Sequence, residues 1–150
     1  MRKRAVLVTN NSDLRRWVLL KRPIGGERGR DALPSTECVV MVNGSSLDVL
    51  VTVRDAVHLG SRLLTHPLCG NLRPHQQPFR SILIEENRDS PVDLESLSMI
   101  EEAILVYCGC GAALPLPHDL PDAAREDYAF VDAELMRESL MRYGLLQRAS

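Results

Sequence analysis

Nowhere in the 150 residues do ~18 or more apolar residues run without interruption, the length a membrane-crossing helix needs, so no membrane span is expected. Paired Cys-x-x-Cys or His-x-x-x-His spacings are missing too, and with them the usual framework of a zinc site. The four cysteines, Cys38, Cys69, Cys108 and Cys110, are scattered apart from one Cys-Gly-Cys. That is not the disulfide framework of a small secreted protein, and they are read as reduced structural thiols. Gly25-Gly26-Glu27-Arg28-Gly29 lacks the Gly-Lys-Ser/Thr of a phosphate loop and does not lie between a strand and a helix. The basic start, Met1 to Val8, imitates the n-region of a signal peptide. Its apolar run stops at Thr9-Asn10-Asn11 with no small-residue cleavage site, so it is read as the first strand of a cytoplasmic protein. No cofactor and no metal are expected from these patterns.

What is present is ordinary in bulk and uneven in detail. With 45% hydrophobic and 25% charged residues, the chain fits one globular domain large enough to bury a core. Residues 1 to 30 carry nine Lys or Arg against Asp13 and Glu27, a balance of +7, and the other 120 residues a balance of −9. Such asymmetry can mark a surface for an anionic partner. Trp17 is the only aromatic in the basic part and no nucleic-acid motif accompanies it. A solvated basic face is therefore expected, with neither nucleic acid nor membrane as a partner.

Along the chain, Ala5 to Val8 is a short apolar run bounded by asparagines, a buried strand. Ser12 then caps a helix with Leu14, Trp17 and Val18 at helical spacing. Residues 21 to 36 form a flexible basic loop. Cys38 to Val42 is a second strand, ending at Asn43-Gly44. Ser45 or Ser46 caps a helix with Leu47, Leu50, Val51 and Val57 on one face, closed by Gly60. Arg62 to Leu64 and Ser81 to Glu85 are two further strands. Pro91 opens a helix with Leu94, Leu97, Ile100, Ile104 and Tyr107 buried. A Gly/Ala/Pro-rich linker spans 108 to 121. Tyr128 to Val131 is expected as a strand, followed by a helix from Asp132 to Tyr143. The alternation predicts one α/β domain over 1–150: a three-layer sandwich with a mainly parallel, Rossmann-like sheet of about four to five strands and flanking helices.

If the first three strands are parallel, their ends carry Thr9, Asn10 and Asn11; Asn43, Gly44 and Ser45; and Thr65 and His66. Open α/β sheets bind ligands outside those ends. The connection from Thr65 to Arg80 is 16 residues without a helical or strand pattern, longer than structureless connections usually run, and is expected to wall a pocket. Within it Gly70, Asn71 and Arg73 join the candidate ligand-binding set, Arg73 as a clamp for carboxylate or phosphate. Arg54, on the preceding helix, is a second cation for the same anion. His66 is the candidate acid or base, since its ordinary pKa lies near neutrality. The competing account is a surface excursion steered by Pro67, Gly70, Pro74 and Pro78.

The segments "LVTNN", "SLDVLVTVRDAVHLGSRLLTHPLCGNLRPHQQPFRSILI" and "DLESLSMIEEAI", with a weaker match in "EDYAFVDAELM", resemble the GrdX family. These are small proteins encoded beside the glycine, sarcosine and betaine reductase genes of amino-acid-fermenting anaerobes. The resemblance implies a cytoplasmic accessory protein of that metabolism rather than a particular reaction. The loop at 21 to 35 looks like an extension of the family pattern, and Cys69 stands where serine is expected. Three functional readings follow: binding of a small anionic ligand at the strand ends, a small hydrolase or transferase using His66, and docking to a reductase component. Whether the chain forms a homo-oligomer is left open by the sequence.

Overall fold

In the first strand, β1 (Arg4–Thr9), Val6 and Val8 are buried on one side and Leu7 on the other, because successive side chains of a strand alternate faces. A strand apolar on both faces has to be covered twice, and it is. The computed structural model describes residues 4–20, 38–69, 73, 76–109 and 114–146. After β1 come α1 (Ser12–Leu20), β2 (Val39–Met41), α2 (Ser46–His58), β3 (Arg62–Leu63), β4 (Ser81–Glu86), α3 (Leu94–Cys108) and α4 (Asp122–Arg142), with a 3-10 turn at Pro117–Asp119 before α4.

The sheet order is β2-β1-β4-β3. β1 pairs with β2 in parallel and with β4 antiparallel, and β3 pairs with β4 antiparallel. The mainly parallel, Rossmann-like sheet expected from the sequence is therefore wrong: among the described residues the sheet is mixed, with a single parallel pair. The cause lies in the connections. A parallel return needs a crossover, usually a helix, whereas an antiparallel return needs only a loop. Among the described residues no helix separates β3 from β4, so β4 turns back alongside β3 and inserts between it and β1. Its Ile82, Leu83 and Ile84 are all buried, as a central strand requires.

One layer over the sheet holds α2 and α3, whose Val49, Leu50, Val53, Val57, Ile100 and Tyr107 pack on Val6, Val8, Ile82 and Ile84. The opposite layer holds α1 and α4, whose Leu14, Val18, Met136 and Leu140 pack on Leu7 and Leu83. Each fully buried Leu or Ile contributes roughly 1.5–3 kcal/mol, so the two faces together hold the sandwich.

Several local expectations also change. Tyr128 to Val131 is not a strand but part of the 21-residue α4. Ala129, Asp132, Met136 and Leu140 recur at helical spacing and are its buried positions, while Phe130 and Val131 face outward. Asn11, rather than Ser12, caps α1: its Oδ1 accepts from the Asp13 and Leu14 amides at 3.1 and 3.3 Å. The α3 cap is Asp93, whose carboxylate accepts from the Ser96 amide, and Leu94 lies outside the buried face at 76% exposure. The 21–36 loop and residues 110–113 of the expected linker lie outside the described residues.

Candidate functional site

β1, β2 and β3 run in one direction and β4 in the other, as the three pairings dictate. One edge of the sheet therefore gathers Thr9-Asn10-Asn11, Asn43-Gly44-Ser45, Thr65-His66 and the start of β4 at Arg80-Ser81. The N-termini of α1 and α2 stand on the same edge, because each helix leaves the strand before it.

Most of the polar groups expected to hold a ligand make hydrogen bonds that hold the fold. Asn10 donates from Nδ2 to the carbonyls of Gly44 at 3.0 Å and Pro78 at 2.8 Å, and its Oδ1 accepts from the Arg80 amide at 2.9 Å. One buried amide thus stitches three chain segments, with both its polar atoms engaged. Asn11 caps α1 and donates to the Ala129 carbonyl and the Asp132 carboxylate, each at 3.0 Å. Ser45 and Asp48 form a reciprocal capping box on α2. Gly44 makes room for it: a Cβ there would lie 2.2 Å from Asp48 Oδ2. Thr65 Oγ1 accepts from the Leu83 amide at 3.0 Å and extends the β3–β4 pairing.

The charged and titratable candidates divide differently. His66 is exposed, and its Nδ1 accepts from the Leu68 amide at 3.0 Å, so the lone pair a base would use is engaged in a turn. Among the described residues no carboxylate pairs with it. Arg54 sits about 12 Å along α2 from the helix start, bonded to Asp55 at 3.5 Å and away from the strand ends. Asn43, just past β2, is exposed, and so is Arg73. Gly70 and Asn71 lie outside the described residues.

Two buried charges that the sequence reading passed over occupy the centre of the edge. Alternation along β4 sends Arg80 to the α3 layer and Ser81 to the α4 layer. Arg80 is 4% exposed. Its Nε and Nη2 donate to the Tyr107 hydroxyl at 3.2 and 2.7 Å, Nη1 to the Cys69 carbonyl at 3.0 Å, and Nη2 also to Gln77 Oε1. The guanidinium also lies 5.6 Å from the centroid of the Tyr107 ring. Every hydrogen-bond acceptor around this cation, among the described residues, is neutral.

On the other face, Ser81 donates to Asp132 Oδ2 at 2.6 Å and Thr9 lies 2.7 Å from Ser81. With Asp132 ionised the single Ser81 proton goes to the carboxylate and Thr9 donates to Ser81, and the Asn11 amide in turn donates to Thr9 at 3.0 Å. Burial pushes the Asp132 carboxyl up from its ordinary value, opposed by the hydrogen bonds from Ser81 and Asn11 and by the Arg80 charge across the strand. The chain signals for these two residues were present but faint. Tyr107 ends an apolar helical face and needs a polar partner for its hydroxyl, and Asp132 falls in step with Ala129, Met136 and Leu140.

The model of one protein family, described as GrdX-like protein, matches residues 27–141 of this chain. The chain belongs to the GrdX-like protein family. The matched span takes in β2 through nearly all of α4, so Arg80, Tyr107, Ser81 and Asp132 lie within it, whereas β1 and α1 with Asn10 and Asn11 precede it. No curated protein and no solved structure matches the chain. Among the described residues of this GrdX-like protein no cluster of three His, Cys, Asp or Glu is placed to hold a metal, and no helix is long and apolar enough to cross a membrane.

A cavity of about 390 Å³ also opens at the end of β1, between Asn10, Phe79, His118 and Arg125. Asp13 and Glu126 on its wall make it a poor place for an anion. The strand-end feature suited to negative charge is the enclosed guanidinium of Arg80, with exposed Arg73 seven residues earlier in the same connection.

Proposed function

We propose that this GrdX-like protein is an accessory factor of glycine, sarcosine or betaine reductase metabolism that holds a small anionic ligand at the strand-end edge. Arg80 anchors the anion and Arg73 is the entry cation. The observation that carries this reading is the buried Arg80 held by neutral acceptors alone. A desolvated cation without a bonded counter-ion is costly, and a carboxylate or phosphate would supply the missing charge in bidentate form. Asp132, its nearest buried opposite charge, is itself driven toward the neutral form by burial. The Cys69 carbonyl and Gln77 would then be the groups that release the guanidinium when the anion arrives.

The test is a melting-temperature screen against small carboxylates and phosphates. At a ligand concentration a hundredfold above Kd, the native state gains about 2.7 kcal/mol, roughly 5–10 °C of Tm for a domain of this size. Arg80→Lys keeps the charge but loses the fork and should abolish the rise measured against its own baseline. A rise fully retained in Arg80→Lys places the anion elsewhere and ends the proposal for this site.

A further inference from the structure

On the layer opposite Arg80, α1 and α4 pack along their inner faces and leave a seam open to solvent. Two cavities of about 390 Å³ each lie along it and share Asp13 and Glu126 as walls, so they are two halves of one groove. The upper half is bounded by Asn10, Phe79 and His118, the lower by Trp17, Ala133 and Phe130. From Arg125 to Arg137 the groove follows α4 for about 18 Å, three turns of helix.

Its apolar wall is unusually open. Phe130, which lines it together with half-buried Trp17, is 65% exposed. The charges are not evenly matched. Arg137 donates to Glu134 at 2.6 Å and stacks over Trp17 with its guanidinium 5.1 Å from the ring centroid, and Arg125 is bound to Asp122. Among the described residues, Asp13 and Glu126 form no ion pair. They sit where the two halves meet, so the groove offers aromatic walls and a doubly acidic waist.

We propose that this groove docks a short basic amphipathic segment of a partner protein, with apolar side chains on Trp17 and Phe130 and a Lys or Arg between Asp13 and Glu126. Charge selects this occupant over a second copy. A twofold axis through the waist of the groove would present the same patch to itself and set Asp13 and Glu126 against their own equivalents. The docking site is independent of the Arg80 site and survives if that assignment fails.

The whole protein supplies its own reporter, since Trp17 is the single tryptophan and lines the groove. The probe is a tryptophan-free amphipathic Leu/Lys helical peptide of about 14 residues, long enough to span the groove, compared with its Leu/Glu counterpart. The Leu/Lys peptide should shift Trp17 emission saturably and bind at least ~10-fold more tightly than the Leu/Glu peptide. Phe130→Ser should weaken it by ~10-fold or more, as loss of an aromatic anchor does, with the melting temperature unchanged because Phe130 lies outside the core. Asp13→Lys combined with Glu126→Lys should reverse the preference. Equal binding of the two peptides, no binding of the Leu/Lys peptide, or binding indifferent to Phe130→Ser overturns the proposal. Sedimentation showing a dimer that Phe130→Ser dissociates also overturns it, by assigning the groove to a second copy.

Discussion

Replacing Asp132 by asparagine should leave the protein as stable as before, or more so, at neutral pH. Asp132 Oδ2 accepts from Ser81 at 2.6 Å and from Asn11 at 3.0 Å, and the side-chain oxygen of the introduced asparagine can accept both at nearly the same place. What the substitution removes is the cost of an ionised carboxylate in a buried site. Because burial raises the Asp132 pKa above its ordinary 3.8, the native state binds a proton more tightly than the unfolded chain does. Its stabilising contribution is therefore complete below about 3.8 and is lost as pH rises through the native value, with a limiting slope of about 1.4 kcal/mol per pH unit. The stability of the unmodified protein relative to Asp132→Asn should fall over that window and then level off.

Asp132→Ala is the informative contrast. It leaves the Ser81 hydroxyl without its carboxylate acceptor in a buried place and Asn11 Nδ2 with the Ala129 carbonyl alone, at about 1–3 kcal/mol for a group left unsatisfied, and should destabilise at every pH. Urea unfolding followed by Trp17 fluorescence between about pH 4 and 8, the range that brackets a raised carboxylate pKa, measures all three proteins. If the unmodified protein gains on Asp132→Asn as pH rises, the carboxylate is stabilised rather than penalised by its surroundings, and the reasoning fails.

Two further predictions concern the elements around this edge. Gly44→Ala should cost about 1–2 kcal/mol by displacing Asp48 from the capping box, and that cost should largely vanish in an Asp48→Ala background, read as a double-mutant cycle in urea. Tyr107→Phe removes the acceptor of two Arg80 hydrogen bonds and should destabilise by about 1–3 kcal/mol. An unchanged urea midpoint for that variant would show that Tyr107 is not the support of the Arg80 guanidinium.

The elements on the sheet's two faces were legible where the period of burial is clean. Val6, Leu7 and Val8 announced a strand, Ser45 or Ser46 a helix cap (Ser45 is the one), and Ile100, Ile104 and Tyr107 a buried helical face. Strand order was not legible, because β3 has only two residues and a loop long enough to be a pocket wall is also long enough to reverse a strand. At α4 local preference misled: Tyr128 to Val131 is rich in strand-favouring types, while the helical period runs through Asp132, a carboxylate at a core position. The asparagines after β1 are legible as polar groups at a strand end, yet nothing in the chain says that the carbonyls of Pro78, Gly44 and Ala129 approach closely enough to use them. Arg80 was concealed by its place, flush against the apolar run it introduces.

Because β4 sits between β1 and β3, the sheet is fastened by partners far apart in the chain: Thr9 with Ser81 across 72 residues, and Asn11 with Asp132 across 121. During synthesis β1 and β2 can meet early, but the side of β1 that β4 covers stays open until residue 86 has been made. Loop closure of this length precedes any reward from the contacts it brings. A nascent chain stalled before β4 would display an apolar half-sheet with an unpaired edge, the form most prone to associate with other chains. The strand that organises the candidate site is thus also the one whose late arrival governs whether the chain folds or aggregates.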